Sequence, residues 1–120
     1  LRSENPRVRR EALEAMQHMG GEPSLSALEE RYERETSSSV RIAALQTLEK
    51  MPVSAAGIEW AGSILLDVRE AQGQTALVRY LGKSLSQFPT NRDLLVELLN
   101  SNPHRDVKKE IWDIIGVTGN

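Results

Sequence analysis

A nine-residue pattern recurs along this chain at an interval of about 32 to 35 residues. Segment 8–16, VRREALEAM, returns 32 residues later as segment 40–48, VRIAALQTL. Part of the pattern recurs after a further 32 residues at Ala76 and Leu77, and the pattern returns once more over residues 107–115, VKKEIWDII. A helical period of about 30 to 40 residues is typical of repeat proteins, in which each unit packs only on its neighbours. We therefore predict an α-solenoid.

Composition supports a folded, helical chain and gives little support to several function classes. Of the 120 residues, 39% are hydrophobic, 27% are charged and only 4% are aromatic. Apolar residues recur at helical spacing, and no segment sustains the alternation of a strand. A net charge of −2 argues against a nucleic-acid binder, which usually carries a basic excess. The sequence has no cysteine, and therefore no disulfide or cysteine-ligated zinc.

The turn and cap residues divide the chain into seven helices. Asn5 and Pro6 open the first, a serine-rich run at 36–39 separates the second from the third, and Pro52, Pro89 and Pro103 mark later breaks. We predict units at about 4–35, 37–67, 71–100 and 104–116 in one domain, with helices including 53–67, 75–86 and 105–116. Gln72 and Gly73 replace Val-Arg in the third unit, so we expect its first helix to begin late or bend.

Each predicted helix has an apolar stripe facing the core. In the first helix the stripe is Val8, Ala12, Ala15 and Met16. The stripes of the later helices are Leu25/Leu28/Tyr32, Val40/Ala44/Leu45/Leu48, Ile58/Ala61/Leu65, Ala76/Leu77/Tyr80/Leu81/Leu85, Leu94/Leu95/Leu98/Leu99 and Val107/Ile111/Ile114/Ile115.

Two segments resemble a known repeat family. ENPRVRREAL at 4–13, followed by GEPSLSAL at 21–28, resembles a HEAT repeat of the short, phycobilisome-lyase-like type. The likeness is specific over residues 4–50. It implies an all-α fold, a right-handed α-solenoid of about three and a half HEAT-like helical hairpins, and a protein-binding scaffold. The chain starts in mid-pattern at Leu1, so we expect it to be part of a longer protein.

The sequence offers no catalytic, metal or cofactor site. His18 and His104 lie in separate units without an acidic partner at metal-ligand spacing, and no glycine-rich phosphate loop is present. We therefore predict a non-catalytic module that needs no cofactor. Nor is any apolar stretch near the roughly 20 residues that cross a bilayer.

Arg9 and Arg41 occupy the same repeat position, and Lys108 is equivalent to them. They could form a ladder that binds an anionic partner. The favoured interpretation is structural, because a guanidinium group can reach carboxylates or carbonyls of the neighbouring turn with several hydrogen bonds.

Candidate partner-binding residues lie on the second helix of each unit, which lines the concave face in a HEAT-like stack. Glu29 and Glu33 are one turn apart and point away from the apolar stripe, and Glu97 is a further acidic candidate. An acidic groove that selects a basic peptide is one interpretation; a solvated face is the other.

Two tryptophans leave alternatives open. Trp60 and Ile64 lie opposite the core stripe of their helix, so they are either buried against neighbouring helices or form an exposed patch of the kind that anchors partners. Trp112 lies to one side of the last helix, which is either an end cap or an apolar edge that docks onto a partner or another copy.

We predict that the chain is a scaffold for a protein partner, bound through Glu29, Glu33, Trp60, Ile64, Glu97 and Trp112, with self-association possible through the last helix. Alternatives are a HEAT-like nucleic-acid-binding or DNA glycosylase-type module with Trp112 and Asp113 as its nearest candidates, a phycobilin lyase, and a regulatory segment of a larger multidomain protein.

Overall fold

The computed structural model describes residues 5–16, 21–101 and 103–118, and this part of the chain contains seven α-helices and no strand. The helices are α1 (Pro6–Met16), α2 (Gly21–Arg34), α3 (Ser38–Lys50), α4 (Ala55–Ile64), α5 (Ala71–Gly82), α6 (Asn91–Asn100) and α7 (Arg105–Thr118). The all-α prediction is confirmed.

The odd-numbered helices form one continuous layer. α3 packs between α1 and α5, and α5 packs between α3 and α7. The even-numbered helices form a second layer on this one: α2 packs on α3, α4 on α5, and α6 on both α5 and α7. Each hairpin thus contacts its neighbours in chain order, and the molecule is elongated at 47 × 27 × 18 Å. This arrangement is that of a short α-solenoid.

The core lies between the two layers and follows most of the predicted stripes. The predicted residues that are buried are Leu25, Leu28, Val40, Ala44, Leu45, Leu48, Ile58, Ala61, Leu65, Ala76, Leu77, Tyr80, Leu81, Leu95, Leu98, Val107, Ile111 and Ile115. Tyr32, Leu94, Leu99 and Ile114 are partly buried against them. Helical spacing alone therefore located the buried side of α2 to α7.

The predicted stripe of α1 is wrong. Leu13 is fully buried, whereas Val8 is 45% exposed and Ala15 is exposed. The side chain of Met16 lies outside the described residues. The odd-numbered helix that packs on α1 is α3, on one side only. Side chains on the other side of α1 stay in solvent even where they are apolar.

Several helix boundaries also differ from the prediction: α4 ends at Ile64 and α5 at Gly82, before the predicted ends at 67 and 86. α4 begins at Ala55, because Ser54 is its N-cap and the Ser54 hydroxyl accepts a hydrogen bond from the Gly57 N–H at 3.0 Å. α5 begins at Ala71, so the prediction of a delayed helix is wrong. Gly73 is buried in its first turn, where an added Cβ would lie 3.0 Å from Leu45 Cδ1. The glycine thus permits a close approach of α5 to α3.

In the described ranges, no helix has both the length and the apolar character that crossing a bilayer requires.

Candidate partner-binding surface

Arginine–glutamate pairs join successive layers. Arg9 on α1 donates to Glu35, in the turn before α3, through Nε to Oε1 at 2.9 Å and through Nη2 to Oε2 at 2.8 Å. The side chains of Arg9 and Glu35 are only 13% and 3% exposed. This bidentate pair is therefore held inside the structure, where charge-assisted hydrogen bonds fix geometry closely.

The same contact recurs one repeat later. Arg41 on α3 pairs with Glu70, the N-cap residue of α5, and also donates to the Glu35 carbonyl at 3.5 Å. At the next interface Arg79 on α5 bonds Glu110 on α7 at 3.2 Å. The structural interpretation of Arg9 and Arg41 is thus confirmed, because each guanidinium group is engaged by the following layer.

The pKa values of the two acceptors reflect this pairing. Burial raises the pKa of Glu35, but the hydrogen bonds from Arg9 and the Ser37 N–H, with the charge of Arg9, outweigh it and hold the pKa below its usual value. Burial likewise raises the pKa of Glu70, and the hydrogen bond and charge of Arg41 lower it further than burial raises it. Both carboxylates are therefore charged near neutral pH.

The outer side of the even-numbered layer is acidic. Glu29 and Glu33 lie on α2 and Glu59 on α4; Glu29 is half-buried and the other two are exposed. The pKa of Glu29 is raised, first by burial and then by the charges of Glu33 and Glu59. In the described part of the chain these three carboxylates form no ion pair. We call this group the acidic face.

Two further findings bear on the acidic face. Glu59 was not among the predicted residues, although it directly follows the core residue Ile58 as Glu29 directly follows Leu28. This shared position, one residue after a core residue, was visible in the sequence and could have identified Glu59. The other acidic candidate, Glu97, is exposed on α6, in the third hairpin.

Trp60 lies beneath this surface. It is 7% exposed, and its ring meets Tyr32 of α2 edge-on, with centroids 5.8 Å apart and planes at 80°. Ile64 is partly buried against the core. Of the two alternatives that the sequence left open, the structure shows the first: Trp60 is buried. An exposed Trp60–Ile64 patch does not form.

One comparison with known proteins identifies the repeat. Residues 1–49 match the family model described as HEAT repeats. This segment is therefore similar to HEAT repeats. No curated protein and no solved structure matches the chain. HEAT repeats commonly mediate protein–protein interactions, and the family is generally a non-catalytic scaffold. The continued stacking of α3, α5 and α7 extends the same arrangement beyond the matched residues.

The remaining candidates lie at the far end of the helical stack. Trp112 on α7 is 58% exposed. Asp113, its neighbour and the nearest candidate for a glycosylase acid, forms an exposed ion pair with Lys109 at 3.0 Å. His104 Nδ1 accepts the Asp106 N–H at 3.1 Å, as in a helix-end histidine. His18 lies outside the described residues, and the described ranges hold no cluster of potential metal ligands.

A cleft of about 300 Å³ lies beside the second arginine–glutamate pair. Tyr32 lines it together with charged side chains of both signs: Glu33, Glu35, Arg41, Asp67, Arg69 and Glu70. Three of these, Glu35, Arg41 and Glu70, already serve the inter-layer contacts. Four of the lining side chains are acidic and two are basic, so the cleft is weakly acidic.

Proposed function

We propose that this protein is a non-catalytic scaffold that binds a basic segment of a protein partner on the face formed by its even-numbered helices. The observation that carries the proposal is the acidic face. Three carboxylates from two successive hairpins lie together there, and the pKa of Glu29 is raised first by burial and then by the charges of Glu33 and Glu59. A cationic side chain placed among them would remove this repulsion.

The electrostatic gain is modest for each contact and adds up over several contacts. An exposed ion pair contributes roughly 0.2–1 kcal/mol and is weakened by salt. A partner with several lysine or arginine residues at helical or extended spacing would contact Glu29, Glu33 and Glu59 together. Glu97 would extend the contact to the third hairpin. Such a surface favours fast, salt-sensitive association.

The packing under the acidic face keeps its charges in place. Trp60 and Tyr32 contact each other between α4 and α2, and Ile64 packs on the core at the end of α4. In this proposal Trp60 and Ile64 set the separation of the helices that carry the glutamates, and the charged groups contact the partner. A rigid surface loses less conformational entropy on binding.

The test is affinity capture followed by calorimetry. Proteins captured by the wild type are compared with those captured by a Glu29→Gln/Glu33→Gln variant. Binding of a captured partner, or of its lysine-rich segment as a synthetic peptide, is then titrated at several salt concentrations. We expect the variant to weaken binding about ten-fold or more, corresponding to roughly 1.4 kcal/mol, and to reduce its salt dependence.

A matched control comes from the first helix. Glu11 and Glu14 are exposed on α1, outside the acidic face, and Glu11→Gln/Glu14→Gln makes the same change in net charge. This control should bind as the wild type does. Equal weakening by both variants would reduce the effect to net charge alone, and unchanged capture by the acidic-face variant would refute the proposal.

A further inference from the structure

The cleft beside the Arg41–Glu70 pair adjoins the acidic face, because Glu33 belongs to both. All its lining residues lie between positions 32 and 70, so α2, α3 and the turns before α3 and α5 form it together. Its volume of about 300 Å³ is at the low end of the roughly 300–1,000 Å³ of small-molecule sites. The cleft therefore has room for one long side chain and not for a folded segment.

The paired charges of the cleft form its fixed walls. Glu35 is held by Arg9, and Arg41 is held by Glu70, so each of these charges is already neutralised by a partner. A ligand that engaged one of them would have to break a contact between layers. These side chains therefore shape the cleft and leave the binding of an occupant to its other residues.

Two carboxylates of the cleft remain available. Glu33 lies on α2 and Asp67 lies in the turn after α4, and both are exposed. Neither forms an ion pair within the described ranges. Two separate elements thus each bring an uncompensated negative charge to the same concave site.

Tyr32 adds a phenol ring and a hydroxyl group to the cleft. The pKa of Tyr32 is raised, first by burial and then by the charge of Glu70, and Asp67 raises it further against the opposing charge of Arg41. The phenol therefore stays protonated at neutral pH, with carboxylates near it. Within the described residues its hydroxyl forms no hydrogen bond, so its oxygen is free to accept one.

Arg69 is the opposing charge. It lines the cleft, its side chain is exposed, and it forms no ion pair in the part of the chain that the structure describes. A long cationic side chain of this kind can turn its head into solvent. Glu33 and Asp67 carry two negative charges against the one of Arg69, so the unpaired groups favour a cation.

We propose that the cleft receives an arginine side chain of the partner's basic segment, with Glu33 and Asp67 accepting hydrogen bonds from the guanidinium group and Tyr32 lining its pocket. The inference rests on the proposed function, because it identifies the residue that anchors the segment bound on the acidic face. A guanidinium group has five donors in a fixed plane and stacks on aromatic rings, whereas an ammonium group has three donors on a compact head. Acceptors on separate elements around a phenol ring match the wider group. The cleft thus selects arginine, while the acidic face accepts lysine or arginine.

NMR titration of the isotope-labelled protein with N-acetyl-arginine methylamide tests the cleft by itself. This probe is a single residue, so it can occupy the cleft without a basic segment on the acidic face. The backbone amide signals of Tyr32 and Asp67 should shift and reach saturation. N-acetyl-lysine methylamide, at the same ionic strength, should bind about three-fold or more weakly. Shifts that do not saturate, or equal affinities for the two probes, would overturn the proposal.

Two substitutions should change the affinity for the arginine probe in opposite directions. Asp67→Asn should weaken binding about three-fold, because it removes one acceptor charge, and Arg69→Gln should strengthen it about two-fold or more, because it removes a competing cation. Arg10→Gln is the matched control: Arg10 is exposed on α1, and its loss changes the net charge as Arg69→Gln does. Equal strengthening by Arg69→Gln and Arg10→Gln would trace the effect to net charge and contradict a site in the cleft. Circular dichroism checks that all variants keep their helices.

A lysine-only peptide separates failure of the cleft from failure of the acidic face. Its binding should weaken in Glu29→Gln/Glu59→Gln and stay unchanged in Asp67→Asn. The same peptide with one lysine replaced by arginine should bind more tightly and should lose that gain in Asp67→Asn. If the lysine peptide binds and arginine gives no gain at any position, the cleft proposal is refuted and the proposed function stands. If the arginine probe saturates the cleft and the lysine peptide does not bind, the acidic face is refuted and the arginine site stands.

Discussion

At the scale of single residues, burial distinguishes the charged side chains that are held in ion pairs from those that are solvated. Arg9 and Arg10 are adjacent arginines on α1, yet Arg9 is held by Glu35 and Arg10 is exposed. Glu35, in the turn before α3, is nearly buried, whereas Glu30 on the preceding helix α2 is solvated. The repeat position of Arg9 was visible in the sequence. Its acceptor was not, because nothing in the sequence separated Glu35 from the other glutamates at the end of α2.

The Arg9–Glu35 pair should contribute measurably to stability. We expect Glu35→Gln to lower the free energy of unfolding by about 1.5–3 kcal/mol, because it removes a charged acceptor from a nearly buried guanidinium group. Urea titration measures the change. Glu30→Gln is the control: Glu30 and Arg34 are 4.0 Å apart and mostly exposed, so the loss should stay within about 0.5 kcal/mol. Equal losses would contradict a special role for Glu35.

Trp60 should behave as a core residue. Trp60→Ala should cost about 3–5 kcal/mol in urea titration, because it opens a cavity and removes the contact with Tyr32. Trp60→Phe should cost less than about 1.5 kcal/mol. A phenyl ring still fills most of the site, and the substitution removes a buried indole N–H that has no partner among the described residues. An alanine variant of unchanged stability would instead indicate an exposed binding residue.

At the scale of helices, small residues determine how closely neighbours approach. The sequence marked Gly73 as a weak point for α5, on the grounds of helix propensity. In the structure the same glycine lies against Leu45, and α5 begins before it without a delay. Packing between α3 and α5 therefore outweighs the low helix propensity of glycine, which costs about 1 kcal/mol relative to alanine. Helix propensity does not include this packing contact, because it joins residues 28 positions apart in sequence.

Gly57 on α4 offers a test of this close packing. A Cβ there would lie 2.1 Å from the hydroxyl oxygen of Tyr80, whose ring is fully buried. We expect Gly57→Ala to be destabilising in spite of the roughly 1 kcal/mol that alanine gains in a helix. In a Tyr80→Phe background the nearest ring atom would be 3.1 Å away, so the loss should be smaller.

Gly116 on α7 is the matched control for Gly57. A Cβ there would meet Trp112 at 3.9 Å, an ordinary contact distance. Gly116→Ala should therefore raise stability by about 0.5–1 kcal/mol. Thermal unfolding of the single and double variants measures all these changes. Equal effects of alanine at Gly57 and Gly116 would show that propensity, not packing, controls both positions.

At the scale of the whole molecule, the inter-layer pairs connect the repeats in series. In a stack of this kind each hairpin is stabilised by its neighbours, so a lost contact weakens the whole array. Two of these pairs depend on glutamates with lowered pKa values, Glu35 and Glu70. The ionised form of each is favoured by folding, which makes the stability of the stack dependent on pH.

Acid should therefore destabilise the protein through these pairs. A carboxylate whose pKa is lower in the folded state than its usual 4.5 contributes its full stabilisation above that value, and the contribution is lost as the pH falls through the folded-state pKa. We expect the free energy of unfolding to be nearly level above about pH 5 and to fall below it. Urea titration at several pH values measures this.

Arg9→Gln isolates the contribution of Glu35 to this acid sensitivity. Without the guanidinium group, the pKa of Glu35 loses its main lowering influence. The variant should be less stable than the wild type at neutral pH, and the difference should narrow as the pH falls, because a protonated Glu35 gains little from Arg9. A difference that stays constant down to acidic pH would contradict the assignment.

Local spacing and cap residues specify the helical repeat, the helix order and the buried side of α2 to α7, because they act within one or two turns of a helix. Contacts between helices set what local spacing could not. They bury Trp60 and pair Arg9 with Glu35, and among the described helices they leave Val8 and Trp112 exposed. Burial and pairing depend on which helices lie alongside, so equivalent repeat positions differ in exposure from one helix to the next.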